Sequence, residues 1–203
     1  MEAIKLQLAN QTLLNPAAPQ WERAQCVDIA LRGTEIHAQP SPYIRTVWAG
    51  KHVGAVRALS LQAAHNRQNI FFRLEWADST HNPDYGDGSV FPDAAAVLFT
   101  NDEAAPVSRM GSLGNPIEGW YWRANHPDSG ESLRYEGFAT EKVLESPAVA
   151  NNATWQDGRW TVVIGAPVEA ATSHVAFAVW EGSNQERAGL HSFAPEWLDL
   201  EIR

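Results

Sequence analysis

Apolar and polar residues alternate along most of this chain, in short runs set off by turns. Residues 3–8 (AIKLQL) and 25–31 (QCVDIAL) read as the first strands, with a turn-rich NPAAP between them. Residues 39–42 (QPSP) read as irregular, because two prolines exclude both helix and central strand. Residues 53–63 alternate, a polar HNRQ turn follows, and residues 69–76 (NIFFRLEW) return, which makes the clearest hairpin of the chain. Residues 94–99 (AAAVLF) fit a short buried strand. Residues 119–124 (GWYWRA) put Trp120 and Trp122 on one face and Tyr121 on the other. No pattern emerges over residues 125–137, and residues 138–145 fit a strand or a helical turn. An Asp157-Gly158 turn feeds the β-branched run 159–164, and residues 173–180 and 197–202 alternate again. A sustained 3.6-residue period is found nowhere. Many short strands with turns between them predict an all-β chain with few short helices, an antiparallel β-sandwich forming a single domain over residues 1–203.

Composition narrows the functions open to such a fold. A net charge of −9 and a pI near 5.2 oppose nucleic-acid binding, which needs a basic face, and docking on anionic lipid. The longest apolar runs are too short for a membrane span. The first residues, MEAIKLQLANQTLL, lack the basic and apolar regions of a secretory signal, so the chain is expected to be cytoplasmic, to be exported with a partner, or to have lost a leader. Cys26 is alone, which rules out an intrachain disulfide and a thiolate cluster. The nine tryptophans suit a sandwich core, a large flat apolar ligand, or stacking platforms for carbohydrate.

Few residues suggest chemistry. The chain has no G-x-S-x-G, no H-E-x-x-H and no carboxylate pair marked as acid and base. Asp84, Asp87 and Asp93, near Gly86 and Gly88, faintly suggest calcium, but their spacing is not that of an EF-hand, and a solvated acidic loop is the plainer reading. Met110 is one of two methionines, and the other is the first residue. It precedes Gly111 in a polar loop between two apolar runs, a poor place for a core residue and a good one for a thioether directed at a metal. His191 lies in another long polar loop, and a sandwich can bring two such loops together at one end. Methionine and histidine together can hold a haem iron. C-x-x-C-H is absent, so such a haem would be b-type, without covalent attachment. On residues alone, a gap-filling methionine and a surface histidine remain the commoner readings.

Residues 53–78 (VGAVRALSLQAAHNRQNIFFRLEWAD), FPDAAAVLF, PVSRMG, GWYWRA and the closing runs DGRWTVVI, HVAFAVWEGSNQERAGLHSF and WLDL together resemble the haem b-binding γ subunits of ethylbenzene dehydrogenase-type molybdenum enzymes. These belong to the type II branch of the dimethyl sulfoxide reductase family. The resemblance runs from about Trp48 to the end and rests on the order of the segments more than on any one motif. It implies a periplasmic β-sandwich that carries one haem b and does no catalysis of its own. Its partners would be an iron–sulfur β subunit and a molybdopterin α subunit in a heterotrimer, with a soluble carrier receiving or delivering electrons. Met110 matches the family's methionine ligand. The second ligand of well-known members is a lysine in the loop before the last strand; His191 stands at that place here, and a Met110/His191 pair results. Lys142, the one lysine of the C-terminal half, is the lesser candidate. Phe91, Trp120, Trp122 and Trp180 are candidate porphyrin walls, with plain sandwich core as an equal reading for them. Arg109, beside Met110, is the expected propionate partner, with Arg73, Arg123 and Arg187 as further guanidinium candidates. The reading outside this family is a carbohydrate-binding sandwich without cofactor, which predicts a row of solvent-facing tryptophans.

Overall fold

The alternating runs become strands in a computed structural model that describes residues 1–203. In chain order they are β1 (Glu2–Lys5), β2 (Val27–Ala30), β3 (Arg32–Gly33), β4 (Ala58–His65), β5 (Asn69–Ala77), β6 (Ala94–Thr100), β7 (Ile117–Arg123) and β8 (Glu131–Tyr135). There follow β9 (Lys142–Leu144), β10 (Ala150–Gln156), β11 (Arg159–Pro167), β12 (His174–Trp180), β13 (Ser192–Phe193), β14 (Leu198–Asp199) and β15 (Glu201–Ile202). One sheet has the order β10-β11-β5-β4-β1-β15, with β2 also on β4; the other runs β3-β13-β12-β6-β7-β8-β9, with β14 also on β12. The architecture is all-β, largely two-sheet, with few short helices, as a β-sandwich requires. It is not wholly antiparallel: β1 runs parallel to both β4 and β15.

The core lies between the sheets and is aromatic. Phe72 of β5 meets Phe99, Trp120 and Phe177 of the opposite sheet at ring-centroid distances of 5.8, 6.1 and 6.1 Å. Trp76 and Trp160 close the same layer against Trp122 at 6.3 and 5.0 Å. Edge-on and tilted ring pairs of this kind add to the burial of apolar area. The outer face of the first sheet is also covered. Leu6, Leu13 of the short helix α1 (Asn10–Leu14) and Trp21 pack on Phe71 and Val163 there.

Several elements differ from the sequence pattern. Pro42 opens a short helix, α2 (Pro42–Val47), whose first turn is capped by Ser41 Oγ accepting from the Ile44 N–H at 3.4 Å. A proline at the first helical position gives up no hydrogen bond. The strand expected from residue 53 begins only at Ala58. Gly54 is left-handed (φ 86°), and the backbone there crosses so close to Gly33 that a Cβ on Gly33 would lie 1.9 Å from the Val53 carbonyl oxygen. β8 and β10 carry no clear sequence pattern. β10 is held by β11 across a turn in which Asp157 (φ 51°) and Gly158 (φ 72°) are both left-handed, as a tight hairpin demands. Residues 197–202 break in two, so that β14 pairs with β12 while β15 crosses to β1 in the other sheet.

Candidate functional site

The strand registers decide which side chains leave the core. Trp120 pairs with Val97 and Trp122 with Ala95 on the inner face, whereas Tyr121 sits opposite Ala96 on the outer face. By the same alternation Ala94, Ala176 and Ala178, with Gly119, floor that outer face with little bulk. Above this floor lies a cavity of about 270 Å³. Its walls include Phe91, Tyr121, Leu133, Tyr135, Phe138 and Trp180, and Met110 lines it as well. The covering loops are those after β5, between β6 and β7, after β8, and between β12 and β13. Trp180 meets Tyr121 edge-on at 5.4 Å, which braces two of the walls.

Met110 is set by its backbone. It ends a single 3₁₀ turn (Val107–Arg109) in the left-handed conformation, φ 57° and ψ 50°. Its N–H donates to the Val107 carbonyl at 3.0 Å, and its own carbonyl accepts from the Gly137 N–H at 3.0 Å. Gly111 continues in left-handed geometry (φ 82°) so close to β8 that a Cβ would lie 2.8 Å from the Tyr135 carbonyl oxygen. A left-handed non-glycine residue stores strain that surrounding contacts must offset, and such residues gather at functional sites. The side chain is buried, so the thioether faces the cavity and not solvent.

His191 immediately precedes β13. Its backbone exchanges hydrogen bonds with Thr34: the Thr34 N–H donates to the His191 carbonyl at 3.0 Å, and the His191 N–H donates to Thr34 Oγ1 at 3.3 Å. The ring packs at 4.8 Å from Trp180 and at 6.2 Å from Phe138, both of which wall the cavity. Nδ1 lies 3.0 Å from the Ala188 carbonyl oxygen, which can only accept, so Nδ1 carries the proton and Nε2 presents a lone pair. Nε2 is buried and has no hydrogen-bond partner. Complete burial pushes the imidazolium down to about 4, so the ring is neutral at physiological pH. Neutral imidazole with one nitrogen anchored and the other free is the arrangement used for metal ligation.

The remaining candidates separate. Phe91 lines the cavity, and the Arg187 guanidinium lies 4.3 Å from its ring centroid. Arg123 also lines it, donates to Tyr85 Oη at 3.3 Å, and keeps a buried Nε without a partner. Arg109 is exposed and takes no part in the lining, although it adjoins Met110, because the 3₁₀ turn directs it to solvent. Trp120 and Trp122 belong to the inter-sheet core and not to the cavity; strand parity gives that wall to Tyr121. Arg73 lies on the other sheet, held by Glu75 at 3.0 Å. Lys142 is exposed, and its neighbour Val143 is the cavity residue. Leu133, Tyr135 and Phe138 were not foreseen. Their one sequence signal, the alternation Glu131, Leu133, Tyr135, was hidden by the absence of a β-branched run. None of the tryptophans is solvent-exposed, so the row of platforms expected of a carbohydrate-binding sandwich is missing.

The fold and site define a two-sheet β-sandwich with an aromatic cavity that Met110 lines; the sealed His191 imidazole packs behind two of its walls and is not itself in the lining. The chain belongs to the ethylbenzene dehydrogenase family, whose model matches residues 18–142. It is homologous to γ subunits: it is 29% identical over 209 residues to chlorate reductase subunit gamma of Ideonella dechloratans, covering 96% of this chain and 82% of that one. It is 27% identical over 159 residues to dimethylsulfide dehydrogenase subunit gamma of Rhodovulum sulfidophilum, covering 69% and 58%. It is 37% identical over 155 residues to a protein of Haloferax mediterranei described as a respiratory nitrate reductase heme subunit, ORF7, covering 70% of this chain. The chain spans little more than half the length of that last relative, 55%. In fold it is similar to a family 9 carbohydrate-binding module of Caldicellulosiruptor kristjanssonii, with a TM-score of 0.54 at 8% identity over 100% of this chain and 95% of that one. That likeness concerns the fold alone. No helix is long and apolar enough to cross a membrane.

Proposed function

We propose that this chain is an electron-transfer subunit that holds one non-covalent haem b, with Met110 and His191 as the residues that would ligate its iron. The observation that carries the reading is the His191 Nε2: a buried, unpartnered lone pair on a neutral ring, packed against Trp180, a wall of the cavity that Met110 lines. An unpaired buried nitrogen costs about 1–3 kcal/mol, so its retention in the fold asks for a partner from outside the chain. The residues present fit the group. Soft thioether and imidazole suit iron, the aromatic walls suit a flat macrocycle, and Arg123 and Arg187 stand at the cavity for two carboxylates.

Haem b supplies reversible one-electron exchange when bound. The chain's own part is to fix, shield and connect. The Ala188 carbonyl holds the imidazole in the ligating tautomer. Phe138, Tyr135 and Trp180 keep water from the site, which favours the less charged state of a bound iron. If Met110 and His191 both held the iron, the chain would leave substrate no place on it, and its role would be relay and not catalysis. The same reading makes the chain a periplasmic γ subunit, passing electrons between an iron–sulfur β subunit of a molybdopterin oxidoreductase and a soluble carrier.

The test is a visible spectrum of the purified, haem-loaded chain, oxidised and reduced, beside Met110→Ala and His191→Ala. A low-spin b-type spectrum that turns high-spin or vanishes in both variants is expected. A chain that takes up no haem, or a spectrum untouched by His191→Ala, overturns the proposed pair.

A further inference from the structure

Three carboxylates that the haem reading does not use meet at one end of the sandwich. Asp78 follows β5, Asp93 precedes β6 and Glu181 follows β12, and each places an oxygen within 4.8 Å of the others. All three are buried, with Asp78 at 5% exposure and Asp93 at 0%. None of the chain's ion pairs involves any of them. Burial of ionised carboxylates without a cation is costly: burial first, and the Asp78 charge after it, push Asp93 up to about 7, and burial with the Glu181 charge raises Asp78.

The hydrogen bonding leaves oxygen capacity over. Asp93 keeps one position open: Oδ1 accepts only from the Gly182 N–H at 2.8 Å, whereas Oδ2 accepts from the Asn82 N–H at 3.0 Å and Trp160 Nε1 at 2.9 Å. Asp78 is more open. Oδ1 accepts from Thr80, whereas Oδ2 is sealed from solvent without a partner, and the Trp76 indole N–H exerts only the weakest of the influences on this carboxyl. The side-chain carbonyl Oδ1 of Asn82, whose N–H is bonded to Asp93, is likewise buried and unpartnered. The single Thr80 hydroxyl proton lies between Asp78 Oδ1 at 2.9 Å and Glu181 Oε1 at 3.0 Å and can serve only one. Glu181 Oε1 also accepts from the Ser183 N–H at 3.0 Å and Oγ–H at 2.6 Å, and its Oε2 from the Asn184 N–H at 2.7 Å, yet none of these donors carries a full positive charge and each carboxylate keeps a lone pair, so every atom offered to a ligand here would be oxygen. Such a set selects a hard cation, and irregular loop carboxylates suit calcium better than the rigid octahedron of magnesium.

We propose that Asp78, Asp93 and Glu181, with Asn82 Oδ1, form a calcium site. It would join β5 of one sheet to β6 and β12 of the other. The same ion would anchor the loops after β5 and β12, which carry Phe91 and Arg187 to the cavity. The site is independent of the haem reading and is tested on the haem-free chain.

The EDTA-stripped chain is titrated with Tb³⁺ under tryptophan excitation, followed by Ca²⁺ competition, and its thermal unfolding is compared with Ca²⁺, Mg²⁺ or chelator. Trp160, hydrogen-bonded to Asp93, is placed to sensitise the emission. One Ca²⁺-displaceable Tb³⁺ per chain is expected, with a rise in Tm of roughly 5–10 °C when Ca²⁺ stands a hundredfold above its Kd. The Asp78→Asn/Glu181→Gln variant should lose both responses, whereas Asp84→Asn/Asp87→Asn, in the exposed loop, should keep them. A stripped, folded chain that shows neither displaceable emission nor a Ca²⁺-dependent Tm overturns the site. So does an equal response in the Asp78/Glu181 variant, or loss of the response in the Asp84/Asp87 variant. Should the Asp78/Glu181 variant not fold, the wild-type titration and the Asp84/Asp87 control decide.

Discussion

Replacing His191 with leucine in the haem-free chain is expected to leave it as stable as the wild type or more so, the reverse of what an ordinary buried side chain would show. The two residues are close in volume, so packing against Trp180 and Phe138 is roughly kept. The change removes the unpartnered Nε2, which costs the wild type about 1–3 kcal/mol, and gives up one Nδ1–H bond worth about 1 kcal/mol. The Ala188 carbonyl is not orphaned, because Trp180 Nε1 still donates to it at 2.9 Å. The net change at pH 7 therefore lies between zero and about 2 kcal/mol in favour of the variant. Acid widens the gap. The folded ring titrates near 4 and the unfolded one near 6.5, so below 6.5 the unfolded state binds the extra proton. Stability of the wild type is then lost as pH falls from about 6.5 towards 4, by about 2 kcal/mol at pH 5 and about 3 in the limit. Leucine does not titrate, so urea unfolding followed by tryptophan fluorescence at pH 7 and pH 5 reads both effects. A variant destabilised by more than about 2 kcal/mol at pH 7, with the same deficit at pH 5, would refute the reasoning, because the imidazole would then be an ordinary satisfied core group.

Two further outcomes follow from the geometry. Gly111→Ala forces a Cβ onto a left-handed residue (φ 82°) at 2.8 Å from the Tyr135 carbonyl, so a loss of about 2 kcal/mol in thermal or urea unfolding and weaker haem uptake are expected together. Trp120→Phe and Tyr121→Ala should split by strand parity. The first should lower stability by about 1–3 kcal/mol and leave the visible spectrum of the loaded chain alone. The second should change haem affinity; spectra that respond to Trp120→Phe but not to Tyr121→Ala would contradict the placement of the cavity.

Much of the β content was legible from alternation. The hairpin of β4 and β5 and the runs at β6, β7, β11 and β12 appear within a few residues of their expected positions, because each has one face in the core and a turn at its end. Elements lacking that signature escaped. β10 is polar at an edge and exists because β11 pairs with it. α2 depends on a serine cap and an N-terminal proline, features that in a P-S-P run read equally as a break. The site shows the same division. Met110 stood out by scarcity and by the glycine after it, and His191 by its loop. The sequence left Trp120 and Trp122 open between core and cavity wall and did not single out Tyr121, because β7 is covered on both faces. Periodicity then says that alternate residues part company but not which set meets which layer.

By itself, then, the chain determined its class: short alternating runs, turn residues and a scarcity of helical period allow little but stacked sheets. It also marked the two side chains whose chemistry is unusual for their setting. Only the tertiary structure decided that the core would take Trp120 and Trp122 and the outer face the cavity, since that depends on pairing between strands far apart in sequence. It alone sealed His191 Nε2 away from every donor, and it alone gathered Asp78, Asp93 and Glu181 from three strand ends in two sheets. Burial and proximity are properties of the assembled fold, and they give a loop histidine and scattered acids surroundings that their places in the sequence do not announce.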